Sequence, residues 1–223
     1  DAQFHRGGVL RLARGWHQLP ALEETARTLE RLGLADYAEW LSAEQVRERV
    51  RVTEAVAGLY SPQGAVIHPG RLVRGLARAI ERRGATIFEE SPVIDFRGGS
   101  QPSFRTPKGE VRARVLVLAG EAYLSQLPHM HRALIPIYSL IVLTEPLPEA
   151  IWREIGWENR ELLSSQRLTV DYLQRTADGR IMFGGRGAPY RFGSRIADAF
   201  DRHDPTHEML RRMCYEWFPV LRL

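Results

Sequence analysis

The chain has 223 residues, 44% hydrophobic and 26% charged, with a formal net charge of +4. This excludes a disordered tail, and no apolar run approaches the ~20 residues that a membrane-spanning helix needs. The single cysteine, Cys214, excludes an internal disulfide and a multi-cysteine metal site, and with no secretory leader expected at the opening it points to the cytoplasm.

Residues 4–14 alternate loosely around the Gly7-Gly8 pair and predict a strand entered through a bend. In residues 19–32, Leu22, Ala26, Leu29 and Leu32 recur among charges, which predicts an amphipathic helix ended by Gly33. Ser42 with Gln45 three residues on has capping-box spacing and predicts a second, short helix. The stretch 59–93 reads as a turn, a helix and a strand. Pro69 suits a first helical turn, and Leu72, Val73, Leu76, Ala79 and Ile80 recur at helical spacing. Gly84 can end the helix in the left-handed conformation, and Ala85-Thr86-Ile87-Phe88 is short, apolar and β-prone. Such a unit is half of a nucleotide-binding fold. The glycine-rich phosphate loop that completes it is absent, since Gly184-Gly185-Arg186-Gly187 has the wrong spacing and context.

Residues 103–118 predict a hairpin turning at 107–110, then a strand at Val115-Leu116-Val117-Leu118. The uninterrupted apolar run of that strand fits a parallel sheet buried on both faces. Ala119-Gly120 marks its exit, the edge at which open α/β sheets bind ligands. From residue 133 the character becomes antiparallel. Residues 134–144 form a long β-type run closed by prolines, and 168–174 and 180–184 are strands joined by the turn 176–179. Asp204 as N-cap, Pro205, and Met209, Leu210, Met213 and Trp217 predict a helix stopped by Pro219. The fold class is therefore α/β, or α+β overall. Arginines are scattered through every segment and offset by Glu and Asp, so nucleic acid is not an expected partner.

Taken together, residues 67–93, 115–120 and 172–185 resemble, in order, the FAD-dependent amine oxidoreductases, the superfamily of D-amino acid oxidase, glycine oxidase and sarcosine oxidase. Ile135-Pro136-Ile137-Tyr138 and Thr144-Glu145-Pro146-Leu147 are similar to its gamma-glutamylputrescine oxidase-like branch. The resemblance covers residues 4–187. It implies a partial FAD-binding Rossmann-like domain at 56–130. It also implies a mostly antiparallel substrate-binding sheet with flanking helices, drawn from 1–55 and 131–223. In that family an N-terminal G-x-G-x-x-G unit and a C-terminal glycine-rich segment hold most of the flavin. Neither is found here, so the chain reads as the middle of a larger flavoenzyme.

The resemblance places Ser91, Pro92 and Val93 at the adenine through backbone groups, and Ala119-Gly120 beside the FAD pyrophosphate. Glu121, next to a diphosphate, departs from the family's small uncharged residue. Tyr172 and Arg175 resemble the pair that binds a substrate carboxylate, for which a guanidinium fork supplies two parallel donors. Their spacing is one residue shorter than the usual pattern, and Arg175 could instead sit on a solvent face. His68 either caps the helix start or lies near the flavin. No acid–base catalyst is assigned. His129 and His131 are too few ligands for a metal, and zinc-protease and nucleophile-elbow motifs are absent.

The implied function is FAD-dependent oxidation of the C–N bond of a small-molecule amine or amino acid, with no membrane or nucleic-acid partner. Two alternatives stay open: a cofactor-free substrate-type domain inactive on its own, and an FAD-dependent dehydrogenase or monooxygenase of another substrate class.

Overall fold

The computed structural model describes residues 1–222. They cluster into two units. One comprises Asp1–Gly75, Ser139–Ala188 and the chain from His203 onward, and the other Leu76–Tyr138 and Pro189–Arg202.

In the first unit, strand β1 (Val9–Arg14) follows the Gly7-Gly8 bend and fully buries Leu10, Leu12 and Ala13. Helix α1 (Leu19–Arg31) has proline in its first turn and is followed by Gly33 at φ 69°. Its Leu22 packs with Ala13, Ala57 and Leu59, and Ala26 and Leu29 are partly buried against them, whereas Leu32, expected in the same stripe, lies past the helix end and is 65% exposed.

Strand β2 (Glu39–Ser42) runs into α2 (Ala43–Arg49) through the expected capping box. Ser42 Oγ accepts from the Gln45 N–H at 3.2 Å, and Gln45 Oε1 accepts from the Ser42 N–H at 2.8 Å. Replacing Ser42 with Ala leaves a donor without its cap and is expected to cost about 1 kcal/mol. A lowered urea midpoint, restored by Ser42→Asp, is the check.

After β3 (Ala55–Ser61), helix α3 (Pro69–Glu81) forms where the periodicity puts it, with Gly84 at φ 89° beyond its end. None of its residues is buried: Val73, Leu76 and Ile80 are 65%, 52% and 47% exposed. The helix rests on its terminal signals and backbone bonds, not on burial of its apolar stripe.

The second unit holds β4 (Asp95–Arg97), β5 (Ser103–Thr106) and β6 (Gly109–Arg112) in an antiparallel sheet of that order. The expected hairpin is β5–β6, with Thr106 opposite Gly109. Two expected strands are corrected. Residues 85–88 and 115–118 are not in strands, and Phe88, Val115 and Val117 are at least 75% exposed. A parallel strand exists only through ladder partners on its neighbours, and β-prone composition does not supply them.

In the first unit the chain continues with β7 (Ser139–Leu143), α4 (Glu149–Ile155), β8 (Leu162–Ser165), β9 (Asp171–Arg175), β10 (Ile181–Arg186) and α5 (Asp204–Trp217). The run at 134–144 shortens to β7, since Pro136 cannot donate to a ladder. The cap of α5 is His203, and Asp204 opens the helix. The large sheet has the order β2-β3-β1-β8-β9-β10-β7, with β1–β8 parallel and the other pairs antiparallel. Strands from residues 1–55 and 131–223 thus share one sheet, which β3 joins, while residues 189–202 cluster with the second unit. The overall class is the mixed α/β, mostly antiparallel one expected from the sequence.

Aromatic residues form the centre of the first unit. Trp217 meets Phe183 edge-on at 6.3 Å, and Trp157 stacks on Phe218 at 5.9 Å. Among the described residues no helix is long and apolar enough to cross a membrane.

Candidate functional site

Strands β9, β10 and β7 are neighbours, and their register lines side chains up in rows. Gly184 stands opposite both Tyr172 and Ile141, and Met182 opposite both Gln174 and Leu143. Side chains alternate between faces along a strand, so these residues share one face. That face lines an open cavity of about 610 Å3, in which Ile141 and Leu143 remain 52% and 54% exposed. His68, Pro69 and Arg71, at the start of α3, line it as well.

Tyr172 depends on the glycine opposite it. A Cβ at Gly184 would lie 2.3 Å from Tyr172 Cζ and 2.5 Å from its hydroxyl oxygen, so the ring lies across the bare backbone. The Tyr172 hydroxyl is 3.1 Å from Ser139 Oγ, which also donates to the Gly185 carbonyl at 3.3 Å. Gln174 Nε2 donates to the Ile67 carbonyl at 3.2 Å and ties the strand to the segment entering α3. His68 caps that helix: its Nδ1 accepts from the Arg71 N–H at 3.4 Å, and its carbonyl accepts from Leu72 at 3.0 Å.

The structure separates the two residues that the resemblance pairs. Tyr172 faces the cavity. Arg175, three residues on, lies on the other face, stacked 4.0 Å over Trp152 and donating to the Trp157 carbonyl. Burial lowers its pKa below the ordinary arginine value, against the opposing pull of Glu149 and Glu158. The signal was present in the sequence: an odd separation on a strand puts two side chains on opposite faces. The same alternation, started from Tyr172, leads to Gln174 on its strand and pairs Ile141 with Leu143 on β7, lining residues that motif reading missed. Gly184 carries no such signal, because its role depends on the register.

The other expected positions lie in the second unit. Ser91 Oγ donates to the Glu89 carbonyl at 3.0 Å, and Pro92 and Val93 are exposed. Ala119 is exposed, and Gly120 has φ −90°, which any residue adopts. A Cβ at Gly120 would meet Leu124 Cδ2 at 2.8 Å, so the glycine is explained by packing within the chain. Neither segment encloses a cradle for a dinucleotide, and these residues do not by themselves fit FAD as a holding site. His129 pairs with Asp95 at 3.4 Å, His131 Nδ1 is 2.9 Å from the Ser125 carbonyl, and the described residues hold no metal cluster.

Three further polar groups lie outside the Tyr172 cavity. Arg14 lines a second cavity of about 510 Å3, and its guanidinium is committed to Thr53 O at 3.1 Å, Thr53 Oγ1 at 2.8 Å and Glu216 O at 3.2 Å. Burial pushes the Cys214 thiol up to about 12, which removes it as a nucleophile near neutral pH. Glu161 is 1% exposed, with Arg49 at 3.8 Å from Oε1 and Oε2 unpartnered among the described residues.

Burial raises the pKa of Glu161. The folded state therefore holds its proton to higher pH than the unfolded state. Stability falls as pH rises from the ordinary carboxylate range through the raised value. Glu161→Gln is expected to raise the melting temperature at pH 7 and to lose that advantage below about pH 4. Calorimetry at the two pH values checks this.

A seven-stranded, mostly antiparallel sheet with an open, apolar-floored face is the frame that positions the Tyr172 cavity. The chain belongs to the FAD dependent oxidoreductase family whose model, DAO, matches residues 1–223, and FAD is the cofactor of that family. It is 32% identical over 204 residues to gamma-glutamylputrescine oxidoreductase of Escherichia coli (strain K12), covering 91% of this chain and 46% of that protein. The fold is similar to L-proline dehydrogenase from P. horikoshii, with TM-score 0.73 and 20% identity, over 99% of this chain and 58% of that one. Glycine oxidase from Bacillus cereus gives TM-score 0.72 and 17% identity, over 100% and 58%. The chain thus spans about half the length of the curated relative it matches.

Proposed function

We propose that the full-length protein is an FAD-dependent oxidoreductase that oxidises the C–N bond of an amine or amino acid, and that the open face of β9, β10 and β7 binds the substrate. The observation that carries this reading is the cavity itself, an apolar floor of Ile141, Leu143 and Met182 with polar groups from Tyr172 and Gln174. Sites for small molecules have this makeup, with apolar walls for affinity and a few polar groups for orientation. Relatives named for gamma-glutamylputrescine, glycine and L-proline support an amine or amino acid as the substrate class. Flavin supplies the electron-accepting chemistry in such enzymes, and the protein orients the substrate. A cytoplasmic location belongs to the same reading, supported by the single buried cysteine.

An absorbance scan of the full-length protein tests this. Bound flavin that bleaches on addition of an amine is expected, and a colourless product would overturn the reading. Oxygen consumption during turnover separates an oxidase from a dehydrogenase.

A further inference from the structure

The second cavity, of about 510 Å3, shares no lining residue with the one beside Tyr172, and its described lining lies wholly in the first unit. Its floor is the end of β1 and the turn into α1, where Arg14 and Gln18 are each 6% exposed. Gln18 Oε1 accepts from the Arg14 N–H at 3.2 Å and from the Gln166 N–H at 3.0 Å. Backbone N–H groups only donate, so the carboxamide oxygen must face them and the NH2 group is turned the other way. Gln18 Nε2 has no hydrogen-bond partner among the described residues, and it is not sealed off as the indole nitrogens of Trp152 and Trp217 are. Arg14 spends its Nε and Nη2 on Thr53 and the Glu216 carbonyl, which leaves Nη1 without a partner among those residues. Two buried donor groups thus remain unused in one cavity.

The rim carries charges of both signs. Arg167, Arg222, Glu54 and Glu216 line it, all exposed, and none makes an ion pair among the described residues. The two carboxylates stand on fixed backbone. Glu54 has φ 58°, a left-handed conformation that persists in a non-glycine residue where neighbours over-determine it. Its carbonyl accepts from the Gly15 N–H at 2.8 Å, and the Thr53 N–H before it donates to the Trp217 carbonyl at 3.2 Å. The Glu216 carbonyl accepts from Arg14 Nη2 at 3.2 Å and from the Thr53 hydroxyl.

We propose that this cavity is a second ligand site, for a small zwitterion of the amino-acid type, with its carboxylate taken by Arg14 Nη1, Gln18 Nε2 and Arg167 and its ammonium by Glu54 and Glu216. Buried N–H donors beside a guanidinium suit the oxygens of one carboxylate. Two glutamates on the rim repel a phosphate or a nucleotide, and the arginines repel a simple amine. A ligand carrying both charges a few atoms apart meets both sets of groups. The site lies outside the proposed substrate face, so its occupant is an effector and not the molecule that is oxidised.

The test titrates 2-aminoisobutyrate into the full-length protein by calorimetry. This zwitterion has no hydrogen on the carbon that bears nitrogen, so oxidation of its C–N bond to an imine cannot consume it. Pivalate and tert-butylamine serve as matched probes, each with one charged group replaced by a methyl. The zwitterion is expected to bind at least about tenfold tighter than either, the scale of a hydrogen bond to a charged group. Gln18→Glu keeps an oxygen for the Arg14 and Gln166 N–H groups and puts a second oxygen where the NH2 stood. It should weaken binding at least about tenfold by the same measure. Arg167→Gln and Glu216→Gln, on the exposed rim, should each weaken it by up to about fivefold, the scale of an exposed ion pair, and do not disturb the buried floor. Tyr172→Phe and Arg27→Gln should leave binding unchanged, and circular dichroism confirms that each variant is folded.

Absence of saturable binding would overturn the proposal, as would equal affinity for pivalate, which marks a plain anion site. Affinity unchanged in all the folded variants of Gln18, Arg167 and Glu216 would overturn it too, as would loss of binding in Tyr172→Phe, which places the ligand on the substrate face. A colourless full-length protein that still binds the zwitterion through Gln18 would remove the oxidoreductase reading and leave this site standing.

Discussion

Trp217→Ala is expected to destabilise the protein by about 3–5 kcal/mol, the range for truncating a fully buried tryptophan. Trp217 is 0% exposed and touches Phe183 at 6.3 Å and Phe218 at 6.4 Å, with the Arg14 guanidinium 4.5 Å from its ring. Truncation would leave a cavity bordered by rigid rings and by an arginine held through Thr53 and Glu216, so little collapse can offset the loss. A cost of that size is a large share of the ~5–15 kcal/mol by which domains are stable. The Trp217 Nε1 has no partner among the described residues, so its indole N–H contributes nothing to offset its own burial. Trp217→Phe should therefore keep most of the stability. Urea denaturation of the three proteins measures this, and a loss below about 1 kcal/mol for alanine would show that the cluster repacks.

The second large effect concerns function. Gly184→Ala is expected to lower kcat/KM for amine-dependent flavin reduction by about a hundredfold, the cost that an ångström-scale displacement of a substrate-orienting group can reach. The added methyl would overlap the Tyr172 ring at 2.3 Å, and the ring must swing off the cavity face or the strand must bend. Swinging also breaks the 3.1 Å contact with Ser139 Oγ. A double-mutant cycle separates this from a general fold defect. With Tyr172→Ala already present, Gly184→Ala should cost little more, because the clash has been removed. A full additional loss in that background would show that the glycine matters to the sheet and not to the tyrosine.

The elements legible in the chain were those written by local chemistry. The Ser42–Gln45 box, the Pro69 and Gly84 ends of α3, the 176–179 turn and α5 each rest on groups a few residues apart, and all are present in the structure. The expectations that failed needed a partner. Residues 85–88 and 115–118 have β-type composition, yet a strand is a property of a pair. Arg175 looked like a carboxylate ligand because arginine is the right group, but its place on the strand puts it over Trp152.

The candidate site shows the same division. Composition and motif order pointed to the chemical class, since proline-led helix, antiparallel strands and glycine pair occur in sequence and survive any uncertainty of register. Which residues meet in the cavity depended on the pairing of β10 with both β9 and β7. That pairing puts Gly184 beneath Tyr172 and lines up Met182 with Gln174 and Leu143. Arg160, which also lines the cavity, sits in a left-handed turn held by Gly7 and His5, more than 150 residues away in the chain. Local signals act over a turn of helix or a tight loop and can be read from the chain alone. Side-chain convergence and charge compensation arise from contacts between distant segments, and these exist only once the chain has folded.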